Sequence, residues 1–133
     1  MSNQLYPKFK EALLSAGLNL SSDTIKVALV DTGTYTYNAA DQYYSAISSA
    51  VVGTPVALAT KTITLGVFDS ADPTFTAVTG VSVEALVIYK DTGTPATSPL
   101  IAYMDSATGL PVTPNGGDIQ IVWDNGASRI FAL

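Results

Sequence analysis

In the stretch "VSVEALVIYKD", residues 81–91, the apolar positions do not stay on one side. On an extended chain Val83, Ala85, Val87 and Tyr89 share one face, and Leu86 and Ile88 stand with Glu84 and Lys90 on the other. A strand that is apolar on both faces is a central strand, covered on both sides. Upstream, "DTIKVALVD" sets Ile25, Val27 and Leu29 against Lys26 and Ala28, the period of two that marks a half-buried strand. From Val56 onward strand follows strand: "VALATKTITLGVFD", "TFTAVTG", the central run above, "SPLIAYMD", "DIQIVWD" and "SRIFAL". Each is bounded by Gly, Pro, Asn or Asp, the spacing that sandwiches and barrels show. The pattern predicts one mainly β domain over residues 1–133, an antiparallel β-sandwich or jelly-roll-like fold.

Two segments break the strand rhythm. Residues 1–17 read as an N-terminal arm and short helix: Pro7 suits the first helical position, Phe9, Leu13 and Ala16 share a face, and Gly17 is the stop. A helix this short needs something to dock on. Residues 32–55 form an irregular Tyr-rich segment with a second short helix expected inside it. There Asn38 is the cap, Asp41 lies in the first turn, and Tyr43 and Ile47 share a face. The connectors "TGTPATSP" and "SATGLPVTPNGG" are long for hairpin loops, and Pro95, Pro99, Pro111 and Pro114 bar strand pairing within them.

Composition narrows the chemistry. Charged residues make up 13% of the 133, about half the share of an average soluble domain, against 47% hydrophobic. The longest apolar runs fall far short of a membrane span, so no membrane partner is expected. The start "MSNQLYPKFKEALL" lacks the apolar core of a signal peptide, and synthesis in the cytoplasm is the expectation. A net charge of −5, with six Lys and Arg that never cluster beyond Lys8 and Lys10, argues against holding a phosphate backbone, so no nucleic acid is expected.

No cysteine is present, which excludes disulfides, thiolate metal sites and a Cys nucleophile. No histidine is present either, which excludes every triad built on an imidazole base. Asp69 and Asp72 in "VFDSADPTF", or Glu84 alone, are the carboxylates open to acid–base work, although "DSADP" is turn chemistry. Asp31, Asp69, Asp91, Asp105 and Asp124 sit at strand ends where oxygen ligands for calcium can converge, yet no loop has the spacing of a dedicated calcium loop. "GTPVALATKT" lacks the turn a phosphate cradle requires. The expectation is therefore no enzyme, no cofactor and no metal. Four of the seven tyrosines, Tyr35, Tyr37, Tyr43 and Tyr44, fall within ten residues, and Tyr is favoured at interfaces for its stiff area and polar tip. Trp123, alternating with Ile119 and Ile121, reads as core.

The order "FKEALLSAGLNLSSDTIKVALVDTGTY", "VVGTPVALATKTIT", "ALVIYKDTGTPATSPLIAYMD", "IQIVWDNGASRIFAL" resembles a family of small tailed-phage virion proteins, the head decoration or cement proteins, over nearly the whole chain. The stretch "VIYKDTGTPATSPLIAY" is the most recognisable part. The resemblance implies a β-rich virion protein on the capsid surface that stabilises the shell through the major capsid protein, self-associates as a trimer or dimer, and has no catalytic motif. Contact is then expected through the arm, at Tyr6 and Phe9, and through Tyr35, Tyr37, Tyr43 and Tyr44. The alternative is a tail or fibre module that recognises a host-surface glycan through Tyr35, Tyr37 and the Pro-rich loops.

Overall fold

The strand predicted to be central is central. In the computed structural model, which describes residues 4–105, 110–123 and 130–132, a five-stranded antiparallel sheet is built from β1 (Gln4–Leu5), β2 (Ile25–Val30), β3 (Val51–Ala57), β7 (Ala85–Lys90) and β8 (Leu100–Met104). Its order is β1-β8-β7-β2-β3, so β7 has a hydrogen-bonded neighbour on either side. A three-stranded sheet has β10 (Phe131–Ala132), β5 (Val67–Asp69) and β4 (Thr62–Thr64) in that order, and β6 (Thr74–Phe75) pairs with β9 (Ile119–Gln120). The fold is mainly β, antiparallel and sandwich-like, with one α-helix and three 3-10 turns among the described residues.

Register assigns the side chains to two faces. Leu29, Leu86 and Met104 form one row, and Val27, Ile88 and Ala102 the next row on the same face. Ala28, Val87 and Tyr103 form a row on the opposite face, where Lys26 pairs with Tyr89. Met104 and Ala102 meet Ile130 and Phe131 around a small cavity, which places the second sheet over the first face. Rings of the segment 32–50 lie over the opposite face, against Tyr103 and Tyr89. Five of the six residues of β7 are buried, and fully burying a Leu, Ile or Val is worth about 1.5–3 kcal/mol each.

The N-terminal helix α1 (Pro7–Leu14) begins with Pro7 in its first turn, as expected, and buries Phe9 edge-on against Phe131 at 5.9 Å. Its stop differs by one residue from the sequence reading. Ala16, not Gly17, takes the left-handed conformation (φ 63°), and Gly17 N–H returns to Ala12 C=O at 2.7 Å while Ala16 N–H reaches Leu13 C=O. This is a Schellman ending whose key position normally goes to glycine. The helix expected after Asn38 is replaced by two 3-10 turns, Tyr44–Ala46 and Ser48–Ala50. Asn38 caps a turn instead, its Oδ1 accepting from Ala40 N–H at 2.9 Å.

The stretch 56–69, expected as one strand, is the end of β3 followed by the hairpin β4–β5. Trp123 is buried as expected; its indole N–H donates to Ala71 C=O and its backbone N–H to Asp72 Oδ1 at 2.9 Å. That bond ties Asp72 to backbone 51 positions away, a long-range contact in place of the local turn bond expected of "DSADP". Residues 1–3, 106–109, 124–129 and 133, which include Asp124, part of the expected loop "SATGLPVTPNGG" and the ends of the expected strand "SRIFAL", lie outside the described residues.

Two stability outcomes follow from these contacts. Leu86→Ala removes a fully buried side chain between two covered layers and is expected to cost about 2–5 kcal/mol in urea unfolding. Ala16→Gly relieves a left-handed alanine and is expected to raise the unfolding free energy by about 0.5–1 kcal/mol in the same measurement.

Candidate interaction surface

The Tyr-rich segment is fixed to the sheet by its own polar groups. Asp31 closes the turn out of β2: its carboxylate accepts from Gly33 N–H at 2.9 Å and Thr34 Oγ1 at 2.9 Å, and its carbonyl accepts from Tyr35 N–H. Tyr35 then donates its hydroxyl to Asp41 Oδ2 at 2.7 Å. Because that proton is committed, the 2.9 Å contact between the Tyr6 and Tyr35 hydroxyls has Tyr6 as donor. Two residues of the segment and one of the arm thus form one relay, Tyr6 to Tyr35 to Asp41. Tyr37 lies between Tyr6 and Tyr103, with ring centroids 5.1 and 5.3 Å away. Tyr44 packs on Tyr89 at 4.5 Å, and its N–H donates to Ser98 C=O.

Burial raises the hydroxyl pKa of Tyr6, Tyr35, Tyr37, Tyr44, Tyr89 and Tyr103 above the ordinary tyrosine value. For Tyr6 the bond to Tyr35 adds to the effect, and for Tyr37 the Asp41 charge does.

These placements revise the expected contact residues. Tyr6 and Phe9 are fully buried and Tyr35 nearly so, so their side chains hold the arm and the segment to the core and are not displayed to a partner. The reason is geometric: the sheet face under the segment already carries Tyr103 and Tyr89, and aromatic rings fill that layer. Tyr37 and Tyr44 are half-buried, and Tyr43 is exposed. Of the six, only these three reach the surface.

The connector 91–99 is also ordered from within. Asp91 accepts from Gly93 N–H and pairs with Lys26 at 2.8 Å. Buried Ser98 accepts from Thr92 N–H at 3.1 Å and donates to Thr94 C=O at 2.9 Å, while Thr92 and Thr97 hydroxyls meet at 2.8 Å. The bond from Lys26 holds the Asp91 carboxyl below its usual range, with the Gly93 N–H helping.

Between the segment and the sheet opens a cleft of about 380 Å³. Thr32, Tyr37, Glu84, Tyr103, Asp105 and Pro111 are among its walls. Glu84, one of the carboxylates open to acid–base work, is half-buried here; its Oε1 accepts from Thr32 N–H at 3.1 Å and Thr32 Oγ1 at 3.0 Å. Thr32 and Glu84 are 52 positions apart, so the sequence carried no signal of this pairing. Tyr rings beside carboxylates and hydroxyls can stack on and hydrogen-bond to a sugar ring. Among the described residues no group of three or more His, Cys, Asp or Glu is placed to hold a metal ion, and no helix is long and apolar enough to cross a membrane.

A different part of the surface was not singled out by the sequence. Leu14 is 89% exposed, Leu65 97% and Ile63 51%, with Val81 exposed as well. No protein-family model matches this chain, and no curated protein matches it either.

The tyrosine layer has a pH signature. Folded hydroxyls with raised pKa keep their protons when the unfolded chain begins to lose its own near pH 10. The stabilisation is fully present below about pH 10 and is lost as pH rises beyond it toward the raised values. Urea unfolding is expected to give equal free energies at about pH 7 and 9 and a lower one at about pH 11. Tyr35→Phe strands the Tyr6 hydroxyl and is expected to cost about 1–3 kcal/mol at neutral pH, with a shallower alkaline decline than the parent chain.

Proposed function

We propose that this chain is a structural virion protein, a decoration or cement protein that binds the outer surface of a phage capsid and stabilises it by contact with the major capsid protein. The observation that carries the proposal is the set of large apolar side chains, Leu14, Leu65, Ile63, Val81 and Tyr43, standing exposed on a chain with only 13% charged residues. Exposed apolar area of this kind is favourable to cover, and repetition over a symmetric shell multiplies each small gain.

The polar groups support the same reading. The carboxylates of Asp31, Asp41, Asp72 and Asp91 hold turns, tyrosines or backbone in place. Burial extends the protonated state of the tyrosine hydroxyls into the alkaline range. What the fold offers is a stiff body with apolar points of attachment, made in the host cytoplasm and carried on the particle.

Purified protein added to undecorated shells is expected to bind to saturation, at a ratio set by icosahedral symmetry, and to raise the temperature at which the shells open. Absence of binding at high micromolar concentration would rule the proposal out.

The cleft beside Tyr37 favours a second reading, a tail or fibre module that recognises a glycan. Its aromatic wall and acceptor groups are of the kind that sugars require. A glycan array separates the two: the module gives hits that Tyr37→Ala abolishes, and the cement protein gives none.

A further inference from the structure

The sheet edges differ in how they meet solvent. In the five-stranded sheet one edge is β1, two residues long and ended by Pro7 at the start of α1. The other is β3, whose register to β2 jumps from Val56 to Val52 while β2 advances only from Val27 to Leu29. Gly53 (φ 72°), Thr54 and Pro55 stand opposite the single Ala28, a bulge carrying a proline, which blunts that edge. In the three-stranded sheet the outer strand β4 is also short, three residues, but it carries no bulge, proline or charge. Thr62, Ile63 and Thr64 are all exposed, uncharged and β-branched, and among the described residues nothing pairs with β4 on its outer side.

The hairpin fixes which way that edge points. Leu65 (φ 51°) and Gly66 (φ 78°) supply the two positive φ values of a type I′ turn between Thr64 and Val67. The pair flanking such a turn exchanges both ladder bonds, so alternation turns the N–H and C=O of Ile63 outward. A leucine in this turn stands where Asn or Gly is favoured, at a conformational cost of about 1–2 kcal/mol, and it is nearly fully exposed. Beside it lies an apolar groove of about 360 Å³, formed by Leu13, Leu18, Leu20, Ile63, Phe68 and Phe131, with no charged residue in its lining. Register places Ile63, Phe68 and Phe131 on the same face of this sheet.

We propose that β4 is the surface at which two copies of this chain join. Strand β4 of one copy pairs antiparallel with β4 of the other about a two-fold axis at Ile63, and two three-stranded sheets become one of six strands. A two-fold axis normal to the sheet keeps both grooves on one side, where they meet as a single apolar strip over Ile63 and Leu65. The occupant is a second copy because the strand is self-complementary: Thr62-Ile63-Thr64 reads the same in both directions. Ile63 then faces its counterpart, and each Thr faces a Thr, a favourable cross-strand pair. Charge points the same way. Copies of net charge −5 repel, and this groove brings no carboxylate toward another. The proposal takes Ile63 and Leu65 out of the exposed apolar set and leaves Leu14, Val81 and Tyr43 for contact with a shell, and it does not depend on the capsid reading.

The absence of cysteine makes the test clean, since one introduced thiol reports one contact. With a short bismaleimide linker, Ile63→Cys is expected to give a covalent dimer. Ala96→Cys, on the exposed turn 95–97, is expected to stay monomeric. Sedimentation equilibrium of the parent chain is expected to show a dimer, and Ile63→Lys with Leu65→Lys to weaken it by at least about 100-fold with the far-UV circular dichroism unchanged. Should the lysine pair unfold the chain, the two cysteine variants decide alone. A parent chain monomeric at about 100 µM, a trimer, or equal cross-linking at both cysteines overturns the proposal.

Discussion

A six-residue strand with no face for water obliges the rest of the chain to supply two covers. Strand β7 sits third in a five-strand order, and both of its faces are taken up by other parts of the molecule. Ile130 and Phe131 come over one face, and the rings of Tyr37 and Tyr44 over the other. Neither cover is regular secondary structure of any length. The first is assembled from strands of two or three residues, and the second from a segment with only 3-10 turns. Such pieces have little stability of their own, so each depends on the sheet it covers.

The second cover solves a polar problem as well as an apolar one. Tyrosines bring large apolar area together with a hydroxyl that must find a partner when buried. Here Tyr6, Tyr35 and Asp41 satisfy one another in sequence, and the charge at the end of the relay is drawn from residues already in the segment. Polar capacity is thus spent inside and in turns. What remains outside is largely Thr, Ser and Ala, with a few large apolar side chains among them and little charge.

The legible parts of the sequence were those with a long, unmixed signal. Strands β2, β7 and β8 follow from alternation or from continuous apolar runs, and burial of Trp123 follows from its alternation with Ile119 and Ile121. The hairpin β4–β5 was hidden because its turn is Leu65-Gly66, with no Asn or Asp to announce it, so the two strands read as one. Strand β1 is too short for any period to show; it exists because β8 offers it an edge. The helix after Asn38 failed because a cap residue also makes local turns, and no apolar stripe follows it to reward helix formation. Among the candidate contact residues, residue type was informative and display was not. Tyr6, Phe9 and Tyr35 share their aromatic character with Tyr43, and only the tertiary arrangement separates inside from outside.

The N-terminal strand has a temporal consequence. Leu5 pairs with Ala102, and Tyr6 donates its backbone N–H to Ile101, so these N-terminal residues wait on partners made nearly a hundred positions later. During synthesis the arm emerges from the ribosome long before its seat exists, and Tyr35 and Asp41 emerge with their relay incomplete. Closure of the sheet therefore waits for β8 to be made, and a nascent chain stalled before β8 holds an open β7 edge with nothing to shield it.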